Sequence, residues 1–79
     1  MSEKRLADVE EGKKVVIKDI VCDGCMKKRL YELGLIPGQK VEVLQNGLFG
    51  GPIKIKVKDY CLALRRKEAK NIVIEEDNG

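Results

Sequence analysis

Ile53-Lys54-Ile55-Lys56-Val57-Lys58 alternates apolar and basic residues without a break. A period of two belongs to a strand that buries one face and wets the other. Gly50-Gly51-Pro52 punctuates the run on one side, and Asp59 marks a tight turn into Tyr60-Cys61-Leu62-Ala63-Leu64 on the other. In that second run Tyr60, Leu62 and Leu64 share one face and Cys61 the opposite one. Two half-exposed strands joined by a short turn make an antiparallel hairpin, and the rest of the chain is read outward from it.

Upstream, Lys14 to Val21 is rich in Val and Ile and reads as the first strand. Its alternation fails at Asp19-Ile20, where a bulge or bend is expected. Asp23 is a candidate helix N-cap, and Met26, Leu30 and Leu33 then form one apolar stripe at i, i+4 and i+7. Gly34 stands where a left-handed residue would close that helix, with Leu35 packing back over it. Pro37-Gly38 has the order of a turn with Pro at its second position and Gly at its third. These three residues, Gly34, Pro37 and Gly38, are read as structural. Val41 and Val43 alternate with Lys40 and Glu42 in a second strand, and Gln45 to Pro52 reads as a long hairpin loop.

Downstream, Arg65 to Lys70 is too short for more than a helical turn. Asn71 to Glu75 reads as a last strand that buries Ile72 and Ile74. Residues 1–13 read as an extended lead-in with Leu6 and Val9 as anchors, closed by Gly12, and residues 1–5 and 76–79 are expected to fray. The expected fold is mainly β. It is a small SH3-like barrel of about five antiparallel strands, with one short helix between the first and second. At 79 residues it is a single domain.

Composition narrows the function. A chain of this size nets only ~3–5 kcal/mol from its core, so few side chains are spared from packing. It has no histidine, which excludes Ser-His and Cys-His nucleophiles and His-rich metal sites. Sixteen basic against thirteen acidic residues leave a net charge of +3, which permits an acidic partner without demanding nucleic acid. Only Tyr31, Phe49 and Tyr60 are aromatic, which argues against single-strand binding by base stacking. No apolar run approaches ~18 residues and no signal-like segment opens the chain, so a soluble, cytoplasmic, non-enzymatic protein is expected.

Three sets of residues are candidates for contact. Cys22-Asp23-Gly24-Cys25 is a C-x-x-C, and with Cys61 it could supply three thiolates to Fe²⁺ or Zn²⁺. The plainer reading is three reduced thiols acting as small hydrophobes. Leu48 and Phe49, at the tip of a glycine-rich loop, either fold back onto the barrel or meet a partner. Lys54, Lys56 and Lys58 form a solvated edge that discourages strand addition, or an acidic-partner surface joined by Lys27, Lys28, Arg29, Arg65, Arg66 and Lys67.

Four stretches in order resemble the FeoA family of bacterial ferrous iron uptake. They are Arg29-Leu30-Tyr31-Glu32-Leu33-Gly34-Leu35-Ile36-Pro37-Gly38, Val41-Glu42-Val43, Leu48-Phe49-Gly50-Gly51-Pro52-Ile53, and Leu62-Ala63-Leu64-Arg65 with Ala69 and Ile72-Val73-Ile74. Leu6 and Gly12 fit the family's opening. The same SH3-like module occurs as the C-terminal domain of iron-dependent repressors, but a free chain of this length looks more like the transport protein. The resemblance implies an accessory factor that acts on FeoB, a membrane Fe²⁺ transporter with a cytosolic GTPase domain. It does not extend to Cys22 and Cys25. Two alternatives stay open: a thiolate metal-binding module, and a basic SH3-like nucleic-acid binder.

Overall fold

The computed structural model describes residues 4–21, 27–47 and 51–76. In chain order these form β1 (Lys4–Arg5), a 3-10 turn over Leu6–Asp8, β2 (Lys14–Ile20), α1 (Lys27–Glu32), β3 (Lys40–Asn46), β4 (Ile53–Val57), β5 (Tyr60–Leu64), α2 (Arg66–Ala69) and β6 (Ile72–Glu76). All strands pair antiparallel in one six-stranded sheet of order β1-β6-β2-β3-β4-β5.

Three expectations are corrected. Among the described residues the strands number six, because Lys4 and Arg5, expected to fray, pair with Ile74 and Val73. Two residues carry no readable period, so nothing in the sequence announces that strand. A second helix, α2, adds one turn, closed by Glu68 Oε1 accepting the Arg65 N–H at 3.1 Å. The barrel is also open in its hydrogen bonding, since no ladder joins β1 to β5 among the described residues.

Bulges set which side chains enter the core. Val15 and Ile17 point inward from β2, and the register against β6 then shifts between Ile17 and Asp19. The extra residue re-phases the strand, so Ile20 is buried although Asp19 and Lys18 are both exposed. A second shift lies between Val43 and Gln45 on β3, which continues to Asn46 where a loop was expected. Leu44, the extra residue at that shift, is 41% exposed, and beyond it Gln45 stands opposite Lys54 and Asn46 opposite Ile53. On β4 no shift intervenes: Ile53, Ile55 and Val57 are fully buried while Lys54 and Lys56 are exposed. Each such aliphatic side chain contributes about 1.5–3 kcal/mol relative to exposure.

The connection from α1 to β3 is built from two glycines. Gly34 has φ +93° and closes α1 with paired hydrogen bonds, Gly34 N–H to Tyr31 O at 3.0 Å and Leu35 N–H to Leu30 O at 3.0 Å. This is the Schellman arrangement, and its usual apolar contact is supplied by the fully buried Leu30 and Leu35. Four residues on, Gln39 N–H bonds Ile36 O at 3.0 Å around Pro37 and Gly38, with Gly38 at φ +93°. Gly38 N–H and Gln39 O then bond Ile17 O and N–H at 2.7 and 2.9 Å, docking the turn on β2.

Candidate partner surface

The lysine strand is not an edge. β4 lies between β3 and β5, so Lys54 and Lys56 stand on the outer face of an interior strand. This corrects the reading of that row as a solvated edge. Lys58 leaves the strand and takes φ 55° in the Lys58-Asp59 turn. Across the outer face, Lys14, Glu42, Lys56 and Cys61 follow one another in register on β2, β3, β4 and β5. Glu42 therefore has a lysine opposite it on each side. A shallow groove of about 480 Å³ runs over this region, lined by Lys14, Gln39, Lys40, Glu42, Lys56 and Lys58 among others. Four ammonium groups against one carboxylate give the groove a positive field suited to an acidic ligand.

Two basic side chains expected on that surface are engaged elsewhere. Arg29 Nη1 donates to Glu68 Oε2 at 2.8 Å. Arg66 turns toward the foot of the β3–β4 loop, where Nη2 donates to Asn46 Oδ1 at 2.8 Å and to the Gly47 carbonyl. Lys27 keeps its ammonium 5.8 Å from the centroid of the Tyr31 ring, within cation–π range.

Asn46 organises the base of the β3–β4 loop, a role that no local pattern in the sequence signals. Its Nδ2 donates to Ala7 O at 3.1 Å and Val9 O at 2.8 Å, and its backbone N–H donates to Glu11 Oε1 at 3.1 Å. One side chain thus fastens the lead-in, the end of β3 and α2 together, and sets the base from which the Leu48-Phe49 loop departs. Leu48 and Phe49 themselves lie outside the described residues. So do Cys22 and Cys25. Cys61 carries a free, exposed thiol on β5, opposite Lys56. Among the described residues no three His, Cys, Asp or Glu side chains cluster to hold a metal ion, and no helix is long and apolar enough to cross a membrane.

A family model for the FeoA domain matches residues 4–76. The chain belongs to the FeoA family. Over 71 residues it is 31% identical to the Fe(2+) transport protein A/Fe(2+) transporter FeoB fusion protein of Porphyromonas gingivalis. That alignment takes in 90% of this chain and 8% of the fusion protein, so the chain spans a small part of that relative's length. The FeoA-like protein of Clostridium acetobutylicum, solved by NMR, superposes with a TM-score of 0.84 at 28% identity, covering 96% of this chain and 90% of the other. FeoA of Stenotrophomonas maltophilia, crystallised with zinc and described as an SH3 domain protein, gives a TM-score of 0.81 at 25% identity over 91% and 89% of the two chains. The FeoA fold is thus SH3-like, and the family is one of ferrous iron transport accessory proteins.

Proposed function

We propose that this FeoA family member is a cytoplasmic, non-enzymatic accessory protein of bacterial ferrous iron uptake that docks on an FeoB-type membrane transporter carrying a GTPase domain. One observation carries the proposal: a relative 31% identical over 90% of this chain has the FeoA and FeoB parts in a single polypeptide. Covalent linkage replaces an encounter between two molecules with a high local concentration, which is useful only if the two parts act on each other. Lys54, Lys56 and Lys58 supply the acidic-partner surface, and Leu48 with Phe49 an apolar contact.

The test is chemical-shift mapping of the isotope-labelled protein against the cytosolic domain of an FeoB-type transporter. Saturable binding that weakens on Phe49→Ala and on charge reversal at Lys54 and Lys56 is expected. No saturation up to high micromolar concentration would falsify the docking role.

A further inference from the structure

Among the described residues β5 leaves one side of its backbone unpaired. β4 pairs along one edge, and no strand pairs along the other among the described residues. The hairpin register decides which groups face out. The two-residue turn Lys58-Asp59 makes Val57 and Tyr60 the closing pair, and antiparallel ladders alternate hydrogen-bonded with non-hydrogen-bonded pairs. Val57–Tyr60, Ile55–Leu62 and Ile53–Leu64 are therefore the bonded pairs. Cys61 and Ala63, opposite Lys56 and Lys54, turn their N–H and C=O groups away from β4. Neither residue has a backbone partner on that side among the described residues, and both are exposed. The opposite edge of the sheet, β1, is only two residues long.

A free edge of this kind is a template for an added strand. We propose that β5 receives an extended acidic segment of the transporter, which joins the sheet as a seventh strand; this rests on the transporter reading above and specifies how the docking occurs. Charge and side-chain size select the occupant. Cys61 and Ala63 share the outer face with Lys56 and Lys54 as direct cross-strand neighbours. Strands lie about 4.8 Å apart, so a residue opposite Cys61 on the incoming strand has its Cβ about 10 Å from that of Lys56. A glutamate and a lysine together bridge that distance, and the small side chains of Cys61 and Ala63 leave the path open. A second copy of this chain would instead present the uncharged Tyr60-Cys61-Leu62-Ala63-Leu64 and add no counter-charge on the β5 side of Lys54 and Lys56, where Glu42 faces Lys56 only from β3.

Amide hydrogen exchange, with and without the cytosolic domain of an FeoB-type transporter, reads the added ladder directly. The Cys61 and Ala63 amides are expected to slow by about tenfold or more in the complex, as newly bonded amides do. Ala63→Pro deletes one outward donor and leaves the β4 ladder intact, as proline on an edge strand does. It is expected to keep the native spectrum and lose about tenfold in affinity, the worth of one to two hydrogen bonds. Should that variant fold poorly, exchange in the unmodified protein decides alone. Binding with the Cys61 and Ala63 amides still fast, or undiminished in a folded Ala63→Pro, overturns strand addition and leaves the transporter reading standing. No binding at all overturns both. A concentration-dependent dimer whose formation protects the same two amides makes the occupant a second copy and overturns the acidic segment.

Discussion

Arg29 Nη1 lies 2.8 Å from Glu68 Oε2, tying α1 to α2 across 39 positions of sequence. The two ends are solvated unequally, with the Glu68 side chain 2% exposed and that of Arg29 61%. The second Glu68 oxygen accepts the Arg65 N–H, so the buried carboxylate has a donor on each oxygen. Removing one member of such a pair is asymmetric, because only the arginine can turn to water when it is deserted.

Arg29→Ala is accordingly expected to cost about 3 kcal/mol, since it leaves a buried charge with one backbone donor. Glu68→Gln keeps the cap acceptor and frees the arginine to solvent, and about 1–2 kcal/mol is expected. Urea unfolding of both variants measures the difference. Equal losses would dismiss the asymmetry.

Gly34 offers a second coupled pair. Its φ of +93° alone costs a residue with a side chain about 1 kcal/mol. A Cβ there would also run into the Tyr60 hydroxyl, which donates to the Leu33 carbonyl. Gly34→Ala is expected to lose about 2–3 kcal/mol in the native background and only about 1 kcal/mol in Tyr60→Phe, where the obstructing oxygen is gone. A double-mutant cycle with additive losses would show that the hydroxyl is not what the glycine accommodates.

Asn46→Ala removes the donor to the Ala7 and Val9 carbonyls and one of the two acceptors of Arg66 Nη2 at the foot of the β3–β4 loop, leaving Ala7 O only the 3.4 Å bond from Arg66 Nη1. About 2–3 kcal/mol of destabilisation is expected. Asn46→Asp restores an acceptor for Arg66 but sets carboxylate oxygens against the Ala7 and Val9 carbonyls, so it should not rescue. Full thermal stability in the aspartate variant would mean that the amide donors contribute nothing.

The contrast among these residues shows what a sequence makes legible. Ile53 to Val57 could be read because its two faces differ in chemistry at every step, and the bulge near Asp19 because it interrupts such a pattern. The outward face of Lys54 and Lys56 is legible for the same reason. Their position inside the sheet was not readable, because strand order is decided by pairing and leaves no local period. Glu68 sits in a run of charges that reads as solvated, and its partner is 39 residues away. Asn46-Gly47 has the look of a turn, and only the folded chain brings Ala7, Val9 and Arg66 to its amide. Arg29 and Arg66, counted with the surface cations, are likewise engaged by partners that no window of sequence contains.

The seam between β1 and β6 carries a pH dependence with a definite sign. Lys4 Nζ and Glu76 Oε1 are 2.7 Å apart. Their hydrogen bond, and secondarily the opposite charge, holds the Glu76 carboxyl below its ordinary value and raises the Lys4 ammonium above its own. The Glu76 contribution is present above the unfolded-state value and is lost as pH falls through the lowered folded one. That of Lys4 is present below its unfolded-state value and is lost as pH rises through the raised one. The contact therefore persists across the neutral range and weakens at both extremes. Both side chains are well exposed, so salt should screen it. Lys4→Ala is expected to return the Glu76 carboxyl to its ordinary midpoint in an NMR titration. Glu76→Gln should abolish the acid-side increase in exchange at the Lys4 and Arg5 amides. A Glu76 midpoint unmoved by loss of the ammonium would mean that the pair does not hold the seam in solution.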